Sequence, residues 1–139
     1  MDQILTDPPE LGVVQLQIHD LDRDNESIKS RKCYEVCRQH NKPVLVMEPI
    51  KGGTLANVPE EAEQLMRAVH PDWSPAAWAL RFAAGHPGVM AVLSGMNTME
   101  QLQDNKDALA DPQPLTEQDL QRVDPAARIS QQPAMLPCP

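Results

Sequence analysis

The 139-residue chain predicts an α/β fold that resembles the last three units of an eight-unit α/β barrel. Short apolar segments and helical patterns follow one another in the order strand, helix, strand, two helices, strand, helix. That order is typical of parallel strands joined by right-handed crossovers. A complete barrel needs about 250 residues, so this chain is expected to supply only part of one. Three strands cannot close a barrel, and both sheet edges are expected to stay open for association.

The first unit contains a strand and a helix. Segment 11–19, LGVVQLQIH, begins with β-branched residues and then alternates, which is typical of a mostly buried strand. A helix is predicted over 27–40, because Cys33, Val36 and Cys37 recur at helical spacing before Asn and Pro residues end the pattern.

The second unit has one strand and two helices. Segment 44–47, VLVM, is a continuous apolar run between prolines and predicts a strand buried on both faces. The glycines in 50–59 predict a flexible loop, and apolar spacing over 60–69 predicts a helix. A further helix is expected to begin at Ser74-Pro75, an N-cap residue followed by a proline at the first helical position.

The third unit is a buried strand over 89–93, a tight exit at Ser94-Gly95 and a helix that begins near Thr98. Unpaired N–H groups and the helix dipole make such a helix start suitable for a phosphate. The alternative is an ordinary T-x-x-Q capping box formed by Thr98 and Gln101. The sequence alone leaves both interpretations open.

A short helix is predicted over 116–123, after which no period remains. The chain is therefore expected to divide into a partial barrel over 1–124 and an irregular or disordered tail over 125–139.

Composition excludes several classes of protein. Twenty acidic and twelve basic residues give a net charge of −8 without a basic run, which argues against nucleic acid and anionic membranes as partners. Without an apolar segment of membrane-spanning length or a signal-like start, the sequence predicts a soluble cytoplasmic protein. Three cysteines suit reduced thiols, and no metal-binding residues are predicted.

The strand exits VVQLQIHDLD, VLVMEPIKGGTLA and VLSGMNTMEQLQDN, with CYEVCRQHNKP and SPAAWALRFAAGHPGV between them, resemble the C-terminal half of aldo/keto reductases. They resemble in particular the bacterial subset with an iron–sulfur tail, and the resemblance covers about 7–110. The resemblance implies NADPH as the usual cofactor, and an iron–sulfur cluster only in a longer parent chain. It also implies the missing N-terminal half of the barrel as partner, whereas the open sheet edges predict self-association as the alternative.

Cofactor contacts are implied at the strand exits and the last barrel helix, at Gln15, Met47, Glu48, Ser94, Gly95, Met96, Asn97, Thr98, Gln101, Asp104 and Asn105. By this resemblance, Gln15 binds the nicotinamide carboxamide, 94–98 surrounds the adenosine phosphates, and the last three residues lie near the ribose phosphate and adenine. Many relatives have an aromatic ring where Met47 stands and Arg where Gln101 stands.

The family's catalytic Asp, Tyr, Lys and His come from the first half of the barrel, and none of them can be matched in this sequence. Tyr34 is the only tyrosine and lies within a predicted helix, so it is expected to be a packing residue. His19 and Glu48 each lie at a strand exit, but their spacing supplies no partner for a general base. We therefore expect the cofactor-binding part of an NADP-dependent oxidoreductase, inactive by itself. The alternative is a non-enzymatic remnant or interaction module.

Overall fold

The computed structural model describes residues 2, 5, 11–19, 30–110 and 114–131. Within them the chain forms a three-stranded sheet with helices between and after the strands. The elements in order are β1 Val14–Gln17, α1 Ser30–Gln39, β2 Val44–Met47, a 3₁₀ helix Lys51–Ala56, α2 Glu60–Val69, α3 Pro75–Ala84, β3 Val89–Leu93, α4 Met99–Ala110 and α5 Glu117–Gln131.

All strands of the sheet are parallel, in the order β1-β2-β3. The predicted α/β class and the crossover order are therefore confirmed. Val46 of β2 is aligned with Leu16 on one side and Val92 on the other. The register between β2 and β3 shifts near Val44, so that Met90 is left without an opposite residue and is 63% exposed.

The two faces of the sheet differ in burial. Leu16, Val44 and Val46 point towards the helices and belong to the main hydrophobic core, which also includes Cys37 and Phe82. On the other face, the side chains of Gln15 and Leu93 are exposed. Because side chains alternate along a strand, the residues next to the core positions point towards this open face.

Helix α3 is the most buried helix among the described residues. Its residues from Ala77 to Ala83 are all buried, and Leu80 is completely inaccessible to solvent. Leu80 packs in a cluster with Ala77 and Ala108, so α3 is joined to α4. Burying one leucine side chain contributes about 1.5–3 kcal/mol, and this contact fixes the position of α4 beside the sheet.

The prediction that regular structure ends at about residue 123 was wrong. Helix α5 continues through the internal Pro125 to Gln131. A proline inside a helix removes a backbone hydrogen bond and crowds the preceding turn. Here Ala126 is completely buried against Met66 of α2, and Ile129 packs on the same hydrophobic cluster. This burial offsets the energetic cost of the proline. The division at residue 124 stays a prediction, and 132–139 lie outside the described residues.

The start of α5 is capped by a Thr116–Asp119 pair that the sequence analysis did not identify. The Asp119 N–H donates to Thr116 Oγ1 at 3.1 Å, and the Thr116 N–H donates back to Asp119 Oδ2 at 3.0 Å. His70 lies 3.4 Å from the same carboxylate. Burial raises the pKa of Asp119, but hydrogen bonds from Thr116 and the nearby His70 exceed that effect and lower the pKa overall.

The remaining differences are small. The predicted strand over 11–19 is regular only over Val14–Gln17, and the predicted helix start at residue 27 lies outside the described residues. The glycine-containing segment after β2 is a 3₁₀ helix, whereas the sequence predicted a flexible loop. Leu55 holds it in place, because its side chain is 3% exposed and packs on Ala79.

Candidate functional site

An open groove of about 760 Å³ lies where the strands end and α4 begins. It brings together all the residues that were predicted to contact a cofactor except Thr98. These are Gln15, Met47, Glu48, Ser94, Gly95, Met96, Asn97, Gln101, Asp104 and Asn105. That these residues bind a cofactor stays a prediction. The structure shows that they share one groove, although they come from separate elements.

One end of the groove is formed by β1 and β2. Gln15 and Met47 are on the open face of the sheet, and Gln15 Nε2 donates to Met47 Sδ at 3.1 Å. A thioether is a weak acceptor, so this contact orients the Gln15 amide. Replacing the Met47 sulfur by an acceptor on a ligand would cost little energy. The amide can therefore turn towards a ligand that offers a carbonyl or an N–H group.

The wall after β2 has an unusual backbone. Glu48 has a φ of 53°, a left-handed value that costs a non-glycine residue about 1–2 kcal/mol. The Lys51 N–H donates to the Glu48 carbonyl at 3.0 Å and closes a turn with Pro49 at its second position. Gly52 and Gly53 follow with φ values of 60° and 92°. The chain reverses here and exposes backbone to the groove.

The sequence analysis missed this wall, which contributes Pro49, Ile50, Gly52, Gly53 and Ala56. An added Cβ on either glycine would meet no atom within 4 Å, so the backbone conformation, and not lack of space, favours glycine there. The adjacent glycines were the available signal, but glycine pairs are also common in mobile loops.

The exit of β3 is held by a side chain from α4. Asn105 is 8% exposed, and its Nδ2 donates to Ser94 Oγ at 3.1 Å. Because a buried amide left without a partner would be destabilising, this bond fixes the strand exit relative to the helix. Gly95, Met96 and Asn97 then cross the edge of the groove.

Helix α4 begins with one half of the capping box that the sequence left as the alternative, and the return bond of Gln101 goes to Asn97, one residue before the cap. The Gln101 N–H donates to Thr98 Oγ1 at 3.2 Å, and Gln101 Oε1 accepts from the Asn97 N–H at 2.9 Å. Thr98 therefore supports the groove without lining it. Hydrogen bonds from its own backbone N–H and then from the Thr98 hydroxyl lower the pKa of Glu100, which places a carboxylate at the same helix start.

Asp104 is fixed from the opposite side of the groove. Ser74 Oγ accepts from the Ala77 N–H at 2.9 Å as the N-cap of α3 and donates to Asp104 Oδ2 at 2.6 Å. Glu48 and Asp104 give the groove two carboxylates, whereas none of its described lining residues is Lys, Arg or His. The described lining is therefore acidic.

Two other candidate positions lie away from this groove. His19 is 3% exposed and borders a smaller cavity next to Tyr34. The Tyr34 hydroxyl donates to the Pro87 carbonyl at 2.7 Å, and its ring meets His86 edge-on at 5.3 Å. Burial raises the pKa of Tyr34, with a smaller opposing effect from Arg38. These contacts agree with the predicted packing role.

Within the described part of the chain, no group of three or more His, Cys, Asp or Glu side chains is arranged to hold a metal ion. Cys33 and Cys37 are free thiols on α1. None of the described helices is both long and apolar enough to span a membrane.

The C-terminal ends of β2 and β3 line one groove together with α4, which is the usual place of the site in an α/β-barrel segment. The family model for the aldo/keto reductase family matches residues 1–128. This chain belongs to the aldo/keto reductase family.

Solved structures of aldo-keto reductases have the same fold. The holo form of AKR11C1 from Bacillus halodurans has a TM-score of 0.60 at 23% identity, with 82% of this chain and 42% of that chain covered. Its apo form has a TM-score of 0.65 at 20% identity, with 89% of this chain and 46% of that chain covered. An aldo-keto reductase from Klebsiella pneumoniae in complex with NADPH has a TM-score of 0.57 at 20% identity, with 88% of this chain and 40% of that chain covered.

The chain thus spans less than half the length of these solved structures. Their similarity confirms the partial-barrel architecture that the sequence predicts. No curated protein resembles the chain in sequence at a significant level.

Proposed function

We propose that this chain is the nicotinamide-nucleotide-binding part of an aldo/keto reductase-type oxidoreductase and lacks the proton-donating half of the active site. The groove of about 760 Å³ is the observation that carries the proposal. It is large enough for most of a dinucleotide, since small-molecule sites occupy about 300–1,000 Å³. Its residues come from β1, from the exits of β2 and β3 and from α4, which agrees with the contacts that the family resemblance implies.

Bound nicotinamide would supply hydride, and the residues of this chain would position it. The Gln15 amide would hold the carboxamide, because its present acceptor is only the Met47 thioether at 3.1 Å. The backbone from Ser94 to Asn97 would lie along the phosphates, held in place by Asn105. NADPH follows from the family resemblance, and the Klebsiella relative is solved with it.

Calorimetric titration of the purified chain with NADPH and NADH tests this proposal. We expect saturable one-site binding of at least one nucleotide. Gln15→Ala should weaken it by roughly two- to tenfold, the usual range for one hydrogen bond. Gln17→Ala is the matched control, since Gln17 lies on the same strand but does not line the groove. If neither NADPH nor NADH binds, the proposal is refuted.

A second candidate function is an interaction module that pairs through its open sheet. Met90 is 63% exposed and Leu93 is 48% exposed on β3, an edge strand of the described sheet. Exposed apolar residues beside unpaired backbone groups favour association with another chain.

Sedimentation across a tenfold concentration range without nucleotide tests this candidate. We expect concentration-dependent association that Met90→Glu reduces, because a charge would be placed at the edge. A stable monomer at every concentration would exclude self-association.

A further inference from the structure

The charge of the groove bears on which dinucleotide it accepts. NADPH differs from NADH by a phosphate on the adenosine 2′ oxygen, and such a group carries a charge of about −1.5 to −2 at neutral pH. In dinucleotide sites, a carboxylate accepts hydrogen bonds from a free 2′-hydroxyl, whereas Arg accommodates the 2′-phosphate. The described lining of this groove contains Glu48 and Asp104 and no cationic residue.

Asp104 is held in a defined position. Ser74 Oγ accepts from the Ala77 N–H, and the Ser74 hydroxyl donates its own proton to Asp104 Oδ2, with 2.6 Å between the two oxygens. The Oδ1 atom has no hydrogen-bond partner among the described residues. Asp104 therefore presents the groove with a fixed carboxylate that has one oxygen available to accept from a ribose hydroxyl.

The start of α4 supplies neutral donors to the groove and no cation. Its Gln101 N–H is already bonded to Thr98, and Gln101 Oε1 accepts from the Asn97 N–H, so the side chain retains only its neutral Nε2 donor. Glu100 adds a carboxylate at the same helix start, outside the described lining of the groove. A 2′-phosphate placed near Asp104 would therefore meet carboxylates and neutral side chains, without a compensating cation among the described groove residues.

We propose that Asp104, positioned by Ser74, makes this groove select a dinucleotide with a free 2′-hydroxyl, so that NADH binds more tightly than NADPH. This inference rests on the proposed function, because it concerns the adenosine end of the same groove. It departs from the NADPH that the family resemblance implies.

The test is calorimetric titration of the full chain with NADH and with NADPH. We expect the Kd for NADPH to exceed that for NADH by roughly tenfold, the effect of a phosphate and a carboxylate several ångströms apart in a partly hydrated groove. Asp104→Asn should reduce the ratio to about twofold or less, mainly through tighter NADPH binding.

Asp107→Asn is the matched control. It removes the same charge from the same helix, but Asp107 is exposed and accepts from Gln103 Nε2 at 2.8 Å, away from the groove. The nucleotide ratio should therefore remain that of the unchanged chain. If Asp104→Asn fails to fold by circular dichroism, Gln101→Arg replaces it, with an expected gain of roughly tenfold for NADPH and little change for NADH.

The possible outcomes separate the two proposals. Equal affinities, a preference for NADPH, or the same change from the Asp104 and Asp107 variants would overturn the inference and leave nucleotide binding intact. If the affinities differ but neither Asp104→Asn nor the replacement variant Gln101→Arg changes their ratio, the adenosine 2′ position does not lie at the Asp104 end of the groove. Binding of neither nucleotide would overturn the proposed function and the inference together.

Discussion

The Ser74 hydroxyl joins the start of α3 to the middle of α4, and removing it should measurably destabilise the fold. It caps α3 through the Ala77 N–H and donates to Asp104. Loss of an N-cap costs about 0.5–2 kcal/mol, and loss of a hydrogen bond to a charged group about 1.5–3 kcal/mol. Ser74 and Asp104 are only half-buried, so water replaces part of the second contact. We expect Ser74→Ala to lower the free energy of unfolding by about 2–3 kcal/mol.

Urea unfolding followed by circular dichroism measures this loss. With a slope of about 1–3 kcal/mol per molar urea, the midpoint should fall by roughly 1 M. Ser74→Thr keeps the hydroxyl and should restore most of the stability. A double-mutant cycle between Ser74→Ala and Asp104→Ala should show a coupling energy of about 1 kcal/mol or more. A midpoint shift below about 0.2 M, or independent effects of the two substitutions, would refute the argument that this link joins the helices.

Three other outcomes follow from the structure. The purified chain should not reduce carbonyl compounds, because a general acid contributes about 10²–10⁴-fold and no described groove residue is Tyr, Lys or His; an activity abolished by Tyr34→Phe would contradict this. The lowered pKa of Asp119 stabilises the fold above the ordinary carboxyl pKa, and that contribution is lost as the pH falls through the lowered value. Below about pH 4, the unfolding free energy of the unchanged chain should therefore fall more steeply than that of Asp119→Asn, and parallel curves would argue against it. Pro125→Ala should raise the thermal midpoint, since Pro125 is exposed within α5 and alanine restores a helical N–H, worth about 1–3 kcal/mol; a lower midpoint would show that the proline is required.

Much of the fold could be predicted because its signals are local. The bounds of α2 and β3 agree with the prediction, since apolar spacing and flanking breakers act within a few residues. Helix α3 begins where Ser74 and Pro75 indicate, and the Ser74 side chain accepts the predicted capping bond. The end of α5 could not be predicted in this way, because its last turns depend on burial of Ala126 against α2.

The candidate site shows the same limit. Alternation within a strand separates Gln15 from Leu16, but the continuous apolar run of β2 does not indicate which of its residues face the core. The register of the sheet places Gln15 and Met47 on one face. The link between Ser74 and Asp104 joins residues 30 positions apart and depends on how α3 and α4 pack. The groove wall at Gly52 and Gly53 depends on left-handed backbone that glycines permit but do not require.

The all-parallel sheet also has a consequence for the order of folding. Neighbouring strands are separated by whole crossovers, the second of which contains the 3₁₀ helix, α2 and α3. Each strand pairing must therefore close a long loop before it gains any stabilisation, and folding rates fall as contacts become less local. The helices can form within microseconds, but β2 and β3 stay unpaired until the crossover between them closes, and the outer edge of β3 remains open in the described sheet. Refolding yield should consequently fall as chain concentration rises, because the exposed edges of partly folded molecules can meet each other before the crossovers close.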